Sequence, residues 1–131
     1  MSLALDHTIV PAKDKDASAR FFARVFGLKY DGPGNHFAPV HVNDTLTLDF
    51  ADDEGFERHH LAFRTSRVEF EAIIDRLKAE KVPFGSGPRS EDMKIGKRSG
   101  GHSFYFRDPN GHSLQVLTAT DQTIPDQDWP D

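Results

Sequence analysis

What most constrains this chain is an internal repeat, since its two halves open and close on matching strand-like runs. Residues 7 to 10 read His-Thr-Ile-Val and residues 60 to 63 read His-Leu-Ala-Phe, each alternating and each followed within a few residues by an amphipathic helical pattern. The halves also end alike. Leu-Thr-Leu-Asp-Phe at 46 to 50 answers His-Ser-Leu-Gln-Val at 112 to 116, so Asp49 falls opposite Gln115 as His7 falls opposite His60. A two-fold relation between such halves would direct those four polar side chains toward one axis.

Leu3 to Val10 is the first predicted strand, with Leu5, His7 and Ile9 on one face and Pro11 closing it. Asp14 or Asp16 caps a helix running to about Phe26; Phe21, Phe22, Val25 and Phe26 form its apolar stripe and Gly27 its stop. Three strands are expected next, at Leu28 to Asp31, about His36 to Val42, and Thr45 to Phe50, the last two joined by an Asn43-Asp44 turn. The acidic run Asp52-Asp53-Glu54-Gly55 reads as the linker between halves. The second half repeats the order with a strand at Arg58 to Arg64, a helix from Val68 to Glu80 opened by Ser66 and Glu69 as a capping box, and a short strand near Val82 to Gly85. A polar loop, Ser86 to Gly101, leads to a hairpin of Ser103 to Arg107 and His112 to Thr118 that turns on Asp108-Pro109-Asn110-Gly111. That loop accounts for the greater length of the second half, and a stretch of this kind in a small domain points to function or mobility.

The expected fold is α+β, one domain over residues 1–131 with module 1 at about 3–51, module 2 at about 57–118 and an acidic tail at 119–131. The tail's prolines and aspartates predict disorder, with Trp129 as an anchor for a partner chain. A chain of 131 residues has room for one core, but two short layered halves bury little each, so a homodimer is expected. With no cysteine, disulfides and thiolate chemistry are excluded. No apolar run approaches the roughly 20 residues of a membrane span, and no basic segment precedes an apolar one at the amino terminus, so a cytoplasmic location is expected. Scattered basic residues on a chain of formal charge −5 argue against nucleic acid and leave a small molecule as the partner.

Strand alternation decides which side chains meet. If Leu46, Leu48 and Phe50 pack on the first helix, Thr45, Thr47 and Asp49 take the opposite face. By the same test Ser113, Gln115 and Leu117, together with Ser103, Tyr105 and Arg107, turn away from the second helix. If His7 and His60 share that polar surface, two imidazoles, one carboxylate and one amide oxygen form a donor set suited to a divalent first-row metal. The alternative is a pair of cavity histidines in a protein that holds no metal.

The order strand, helix, three strands, repeated once, with His7, the His60 of His-Leu-Ala-Phe, and the closing Phe-Arg-Asp-Pro-Asn-Gly-His-Ser-Leu-Gln at 106 to 115, resembles the vicinal oxygen chelate superfamily. This is the glyoxalase, bleomycin-resistance and extradiol-dioxygenase family, and the resemblance covers residues 3 to 118. It implies two tandem βαβββ modules whose sheets curl into a cup around a metal, and dimers that often exchange modules. It maps metal ligands onto His7, His60 and Gln115. The family's usual last ligand is glutamate, whereas glutamine offers a neutral carbonyl oxygen and predicts weaker binding, with Asp49 as the ligand that restores charge. Nickel, zinc, manganese and iron all remain open as the ion.

The activity implied is that of a metal-dependent enzyme, a lyase or transferase acting on a substrate with vicinal oxygens; Gln115 makes ring cleavage the least favoured chemistry. Tyr105 is a catalytic candidate as a donor to a substrate oxygen, against a role as the floor of the cup, and His41 as a base or substrate contact, against a structural hydrogen bond. His59 falls on the face opposite His60 and reads as a surface residue. Arg89, Lys94, Lys97 and Arg98 form a cationic cluster able to attract a carboxylate, phosphonate or glutathione tail, against a merely solvated loop. The competing class is a protein that sequesters a drug or metabolite without chemistry; it needs a large apolar groove and has no use for His7 and His60.

Overall fold

The computed structural model describes residues 3–98 and 100–118; the acidic tail with Trp129 lies outside them, as does the Arg98 side chain. The chain divides into two compact units, Met1–Arg58 and His59–Asp131. Among the described residues no helix is long and apolar enough to cross a membrane.

The first unit holds β1 (His7–Ala12), α1 (Lys15–Phe26), β2 (Ala38–His41) and β3 (Thr47–Asp52). Its sheet runs β1-β3-β2, with β1 parallel and β2 antiparallel to β3. Val10, Ala12, Ala38, Val40, Leu48 and Phe50 are buried on one face, and the Phe22 ring of α1 meets Phe50 at 5.9 Å. Asp14 is the helix cap, accepting from the Ala17 amide, and Gly27 ends the helix in the left-handed region that glycine enters without a Cβ clash. Three expectations change here. β1 continues through Pro11 to Ala12, because β1 takes the outer position of its sheet, where a proline removes no needed ladder bond. Leu28 to Asp31 forms no strand. The Leu28 amide donates to the Ala23 carbonyl at the helix end, and the Tyr30 hydroxyl donates to Asp16 at 2.7 Å, so this segment closes α1 and presents no ladder. The Asn43 side chain accepts from the Thr45 and Leu46 amides, widening the predicted two-residue turn and moving the start of β3 to Thr47.

The second unit holds β4 (His60–Arg64), α2 (Arg67–Ala79), β5 (Phe84–Gly85), β6 (Gly96–Arg98), β7 (Gly101–Arg107) and β8 (Ser113–Leu117). The sheet order is β4-β8-β7-β5, with β6 paired to β7; β4 is parallel to β8 and the other pairs are antiparallel. Phe70, Ile73, Ile74 and Leu77 of α2 are buried as their spacing predicts, and Phe70 meets Phe104 edge-on at 4.9 Å. Ser66 caps the helix, but the Glu69 carboxylate accepts from the Thr65 hydroxyl at 3.1 Å, so the box closes one residue early. The predicted polar loop contains β6, whose Gly-Lys-Arg carries no apolar alternation to announce it. The α+β class and the strand, helix, strands order are as expected; two strands follow the helix in the first unit and four in the second, where three were expected in each.

The ladders give the repeat its exact form. In the first unit His7 pairs with Thr47 and Ile9 with Asp49, while across β3 Thr47 pairs with His41 and Asp49 with Pro39. In the second, His60 pairs with Ser113 and Ala62 with Gln115, while across β8 Ser113 pairs with Arg107 and Gln115 with Tyr105. Side chains paired across a ladder share a face, so each unit carries its polar set on the face opposite its helix.

Candidate functional site

Three predicted site residues come together in the second unit. His60 stands at the start of β4 with Nδ1 3.2 Å from Ser113 Oγ and Nε2 3.3 Å from Gln115 Oε1. Its ring lies 6.1 Å from that of Tyr105, the ladder partner of Gln115. Gln115 is only 4 % exposed, and its Nε2 is buried with no hydrogen-bond partner. An orphaned buried amide nitrogen is costly, so what holds this amide in place is its oxygen, turned to His60.

The first unit repeats the pattern with a charged partner. His7 Nδ1 lies 2.8 Å from Asp6 Oδ2. That hydrogen bond, followed by the carboxylate's charge, raises the His7 imidazole above its ordinary value against the opposing cost of burial, with a lesser contribution from Asp49. Asp49 is half-buried on β3, one ladder step from the Thr47 that pairs with His7. His41 Nδ1 lies 2.8 Å from Thr47 Oγ1, so His41, Thr47 and His7 follow one another across the sheet.

Imidazole nitrogens with carboxylate and amide oxygens are donor types that suit a divalent cation. Both histidines are engaged through Nδ1, which orients the ring and leaves Nε2 as the donor, the arrangement that second-shell partners impose on metal-binding imidazoles. Bonds of about 2.0–2.2 Å to nitrogen and oxygen at tetrahedral or octahedral angles set neighbouring donors roughly 3.0–3.5 Å apart. The 3.3 Å between His60 Nε2 and Gln115 Oε1 is such an edge, and equally a hydrogen bond when the ring carries its proton there. Among the described residues neither unit gathers three His, Cys, Asp or Glu side chains that could hold a metal ion; the candidate pairs are His7 with Asp49 in the first and His60 with Gln115 in the second.

His59 is on the opposite face from His60 but is half-buried rather than superficial, its ring 5.0 Å from that of His112. The fully buried His112 accepts the His59 amide through Nδ1 at 2.8 Å and so ties the head of β4 to β8. Of the predicted cationic cluster, Arg89 lines a cavity beside Tyr105, the Lys94 amide donates to Asp92, and Lys97 lies on β6. Sequence reasoning gave no role to Asp6, Ser113 and Thr47, the three residues that hold the imidazoles. Their signal was positional, since each is the neighbour or ladder partner of a candidate histidine.

A sequence model of the Glyoxalase/Bleomycin resistance protein/Dioxygenase superfamily matches residues 4–116. The chain is 32% identical over 123 residues to the Metallothiol transferase FosB of Lysinibacillus sphaericus (strain C3-41), covering 89% of this chain and 83% of that protein. It is similar to the solved structure of Oxidase ChaP-H2 at 38% identity and a TM-score of 0.84, covering 91% of this chain and 95% of that one. Oxidase ChaP-H1 is similar at 36% identity and a TM-score of 0.86, covering 93% and 100%. With its paired ladders, its aligned histidines and these relatives, the chain belongs to the glyoxalase, bleomycin resistance protein and dioxygenase superfamily.

Proposed function

We propose that the protein is a divalent-metal-dependent enzyme acting on a small molecule with two neighbouring oxygens, and that its reaction transfers a thiol to that substrate. The observation that carries this reading is the 3.3 Å approach of His60 Nε2 to the buried Gln115 Oε1, and His7 and Asp49 hold the corresponding ladder positions in the first unit. The similarity to a metallothiol transferase supports the choice of reaction. On this reading His7, His60 and Gln115 would be the ligands of the ion and Asp49 would supply the anionic donor. When bound, such an ion supplies Lewis-acid stabilisation of negative charge developing on a substrate oxygen.

The rest is the work of the chain's own residues. Asp6 and Ser113 fix the two imidazoles, and the Tyr105 hydroxyl donates a hydrogen bond to the substrate oxygen. His41, anchored through Nδ1 to Thr47, takes the thiol proton at Nε2. The sulfur then bonds to a substrate carbon, that carbon's bond to oxygen breaks, and the proton ends on the released oxygen. The reading places the enzyme in the cytoplasm as a homodimer.

A second reading, oxidation by dioxygen, is favoured by the similarity to two oxidases at 36–38% identity. His7, His60 and Asp49 would then serve as the two-histidine, one-carboxylate set that suits ferrous iron. One experiment separates the two. Protein loaded with manganese or nickel is offered epoxide panels with small thiols, and protein loaded with ferrous iron is offered aromatic panels in air. Thiol loss with adduct formation, abolished by His60→Ala, supports the transferase. Oxygen uptake without adduct supports the oxidase, and tight binding of an unchanged compound supports sequestration.

A further inference from the structure

A cavity of about 360 Å³ opens in the second unit between the segment 88–91 and the end of β7, with Arg89, Ser90, Glu91, Tyr105 and Arg107 on its walls. Glycine makes this wall possible. Gly85 pairs with Tyr105 across the ladder, and a Cβ on Gly85 would come within 1.9 Å of the Ser90 carbonyl oxygen. Only the missing side chain lets Ser90 lie across the face that carries Tyr105. The segment is also tied down. The Asp92 carboxylate accepts from the Ser86 amide at 3.0 Å, the Ser86 hydroxyl at 2.7 Å and the Lys94 amide at 3.0 Å, and the Met93 amide donates to the Phe84 carbonyl at 2.8 Å.

Arg107 donates through Nη1 to the Gly111 carbonyl at 2.8 Å, which fixes the direction of its guanidinium. Arg89 and Arg107 together with Glu91 leave the walls one net positive charge on a chain whose formal charge is −5. Guanidinium groups match the planar fork of a carboxylate, and a single net charge balances a monoanion better than a dianion. Tyr105 belongs both to this wall and to the cluster of His60 and Gln115.

We propose that this cavity is a carboxylate subsite, in which Arg89 and Arg107 hold the acid group of a small-molecule substrate while the remainder of that molecule extends past Tyr105. The proposal rests on the reading above only for the chemistry that follows binding. It is therefore tested on protein stripped of metal by a chelator, so that failure of the metal site leaves the result intact. The probes are benzoate, its neutral counterpart benzamide, and inorganic phosphate, followed by amide NMR. Benzoate is expected to shift the Ser90, Tyr105 and Arg107 amides, and its dissociation constant to rise roughly fivefold or more in Arg89→Gln and in Arg107→Gln, each checked for an unchanged spectrum elsewhere. Arg107→Lys is expected to restore only part of the affinity, since an ammonium lacks the planar fork. Equal binding of benzamide, tighter binding of phosphate, or no loss in either glutamine variant would overturn the proposal.

Discussion

Asp49 and Gln115 occupy the same ladder position in their two sheets, each two residues beyond the strand residue paired with a candidate histidine, Thr47 for His7 and Ser113 for His60. The chemistry at these equivalent positions differs, an anionic oxygen in one and a neutral one in the other. Gln115→Glu is therefore expected to tighten divalent-ion binding by roughly tenfold, about 1.4 kcal/mol, through the added charge. Asp49→Asn is expected to weaken it by a similar factor. Calorimetric titration with manganese or nickel reads both, and an Asp49→Asn protein that binds as the parent does removes Asp49 from the donor set.

Asp6 governs the protonation of His7. The hydrogen bond to Asp6 raises the imidazole above its ordinary range, so the folded protein favours the protonated ring. That contribution is fully present below the unfolded-state pKa and is lost as pH rises through the folded value. In metal-free protein, NMR titration should find His7 changing charge above an ordinary histidine, and Asp6→Asn should bring it down. His7 and Asp6 are exposed, so the thermal midpoint should scarcely move.

Tyr30 and Asp16 give a second titration. Burial, then the hydrogen bond to Asp16, pushes the Tyr30 phenol up to about 12. Asp16 is lowered in turn, first by the Tyr30 hydroxyl and then by Arg20. Of the chain's two tyrosines, Tyr30 is expected to ionise at about 12 in an absorbance titration, and to do so earlier in Asp16→Asn. The Asp16 contribution is present above the unfolded carboxylate pKa and lost as pH falls through the folded value, so the variant should show a weaker acid-side loss of stability.

Gly85 tests the packing of the 86–92 segment. In Gly85→Ala the new methyl collides with the backbone of Ser90, which cannot swing aside as a flexible side chain would. A loss of about 1–3 kcal/mol is expected in denaturant unfolding, together with a weaker response of the Ser90 amide to benzoate.

Much of this fold was legible because its signals are local. The apolar stripes of α1 and α2, the Asp14 and Ser66 caps and the alternation of β3, β7 and β8 each follow from a few neighbouring residues. Leu28 to Asp31 looked like a strand because alternation cannot reveal that Tyr30 is held by a residue one helix away. β6 was hidden for the opposite reason, since it pairs through its backbone alone and its polar side chains carry no pattern. In the candidate site, residue types and faces were readable from alternation, which placed Tyr105 and Gln115 on one surface and left His60 there only as a condition. What could not be read was the register, and it is the register that makes Ser113 the holder of His60 and Thr47 the holder of His41.

The measurement that bears most directly on the central claim is the metal content of protein purified without added metal or chelator, with His7→Ala and His60→Ala alongside. The account expects near-stoichiometric divalent metal in the parent and its loss in both variants, each still folded by circular dichroism. A parent protein that carries no metal, and takes up none when nickel, manganese, zinc or ferrous iron is offered, would contradict it.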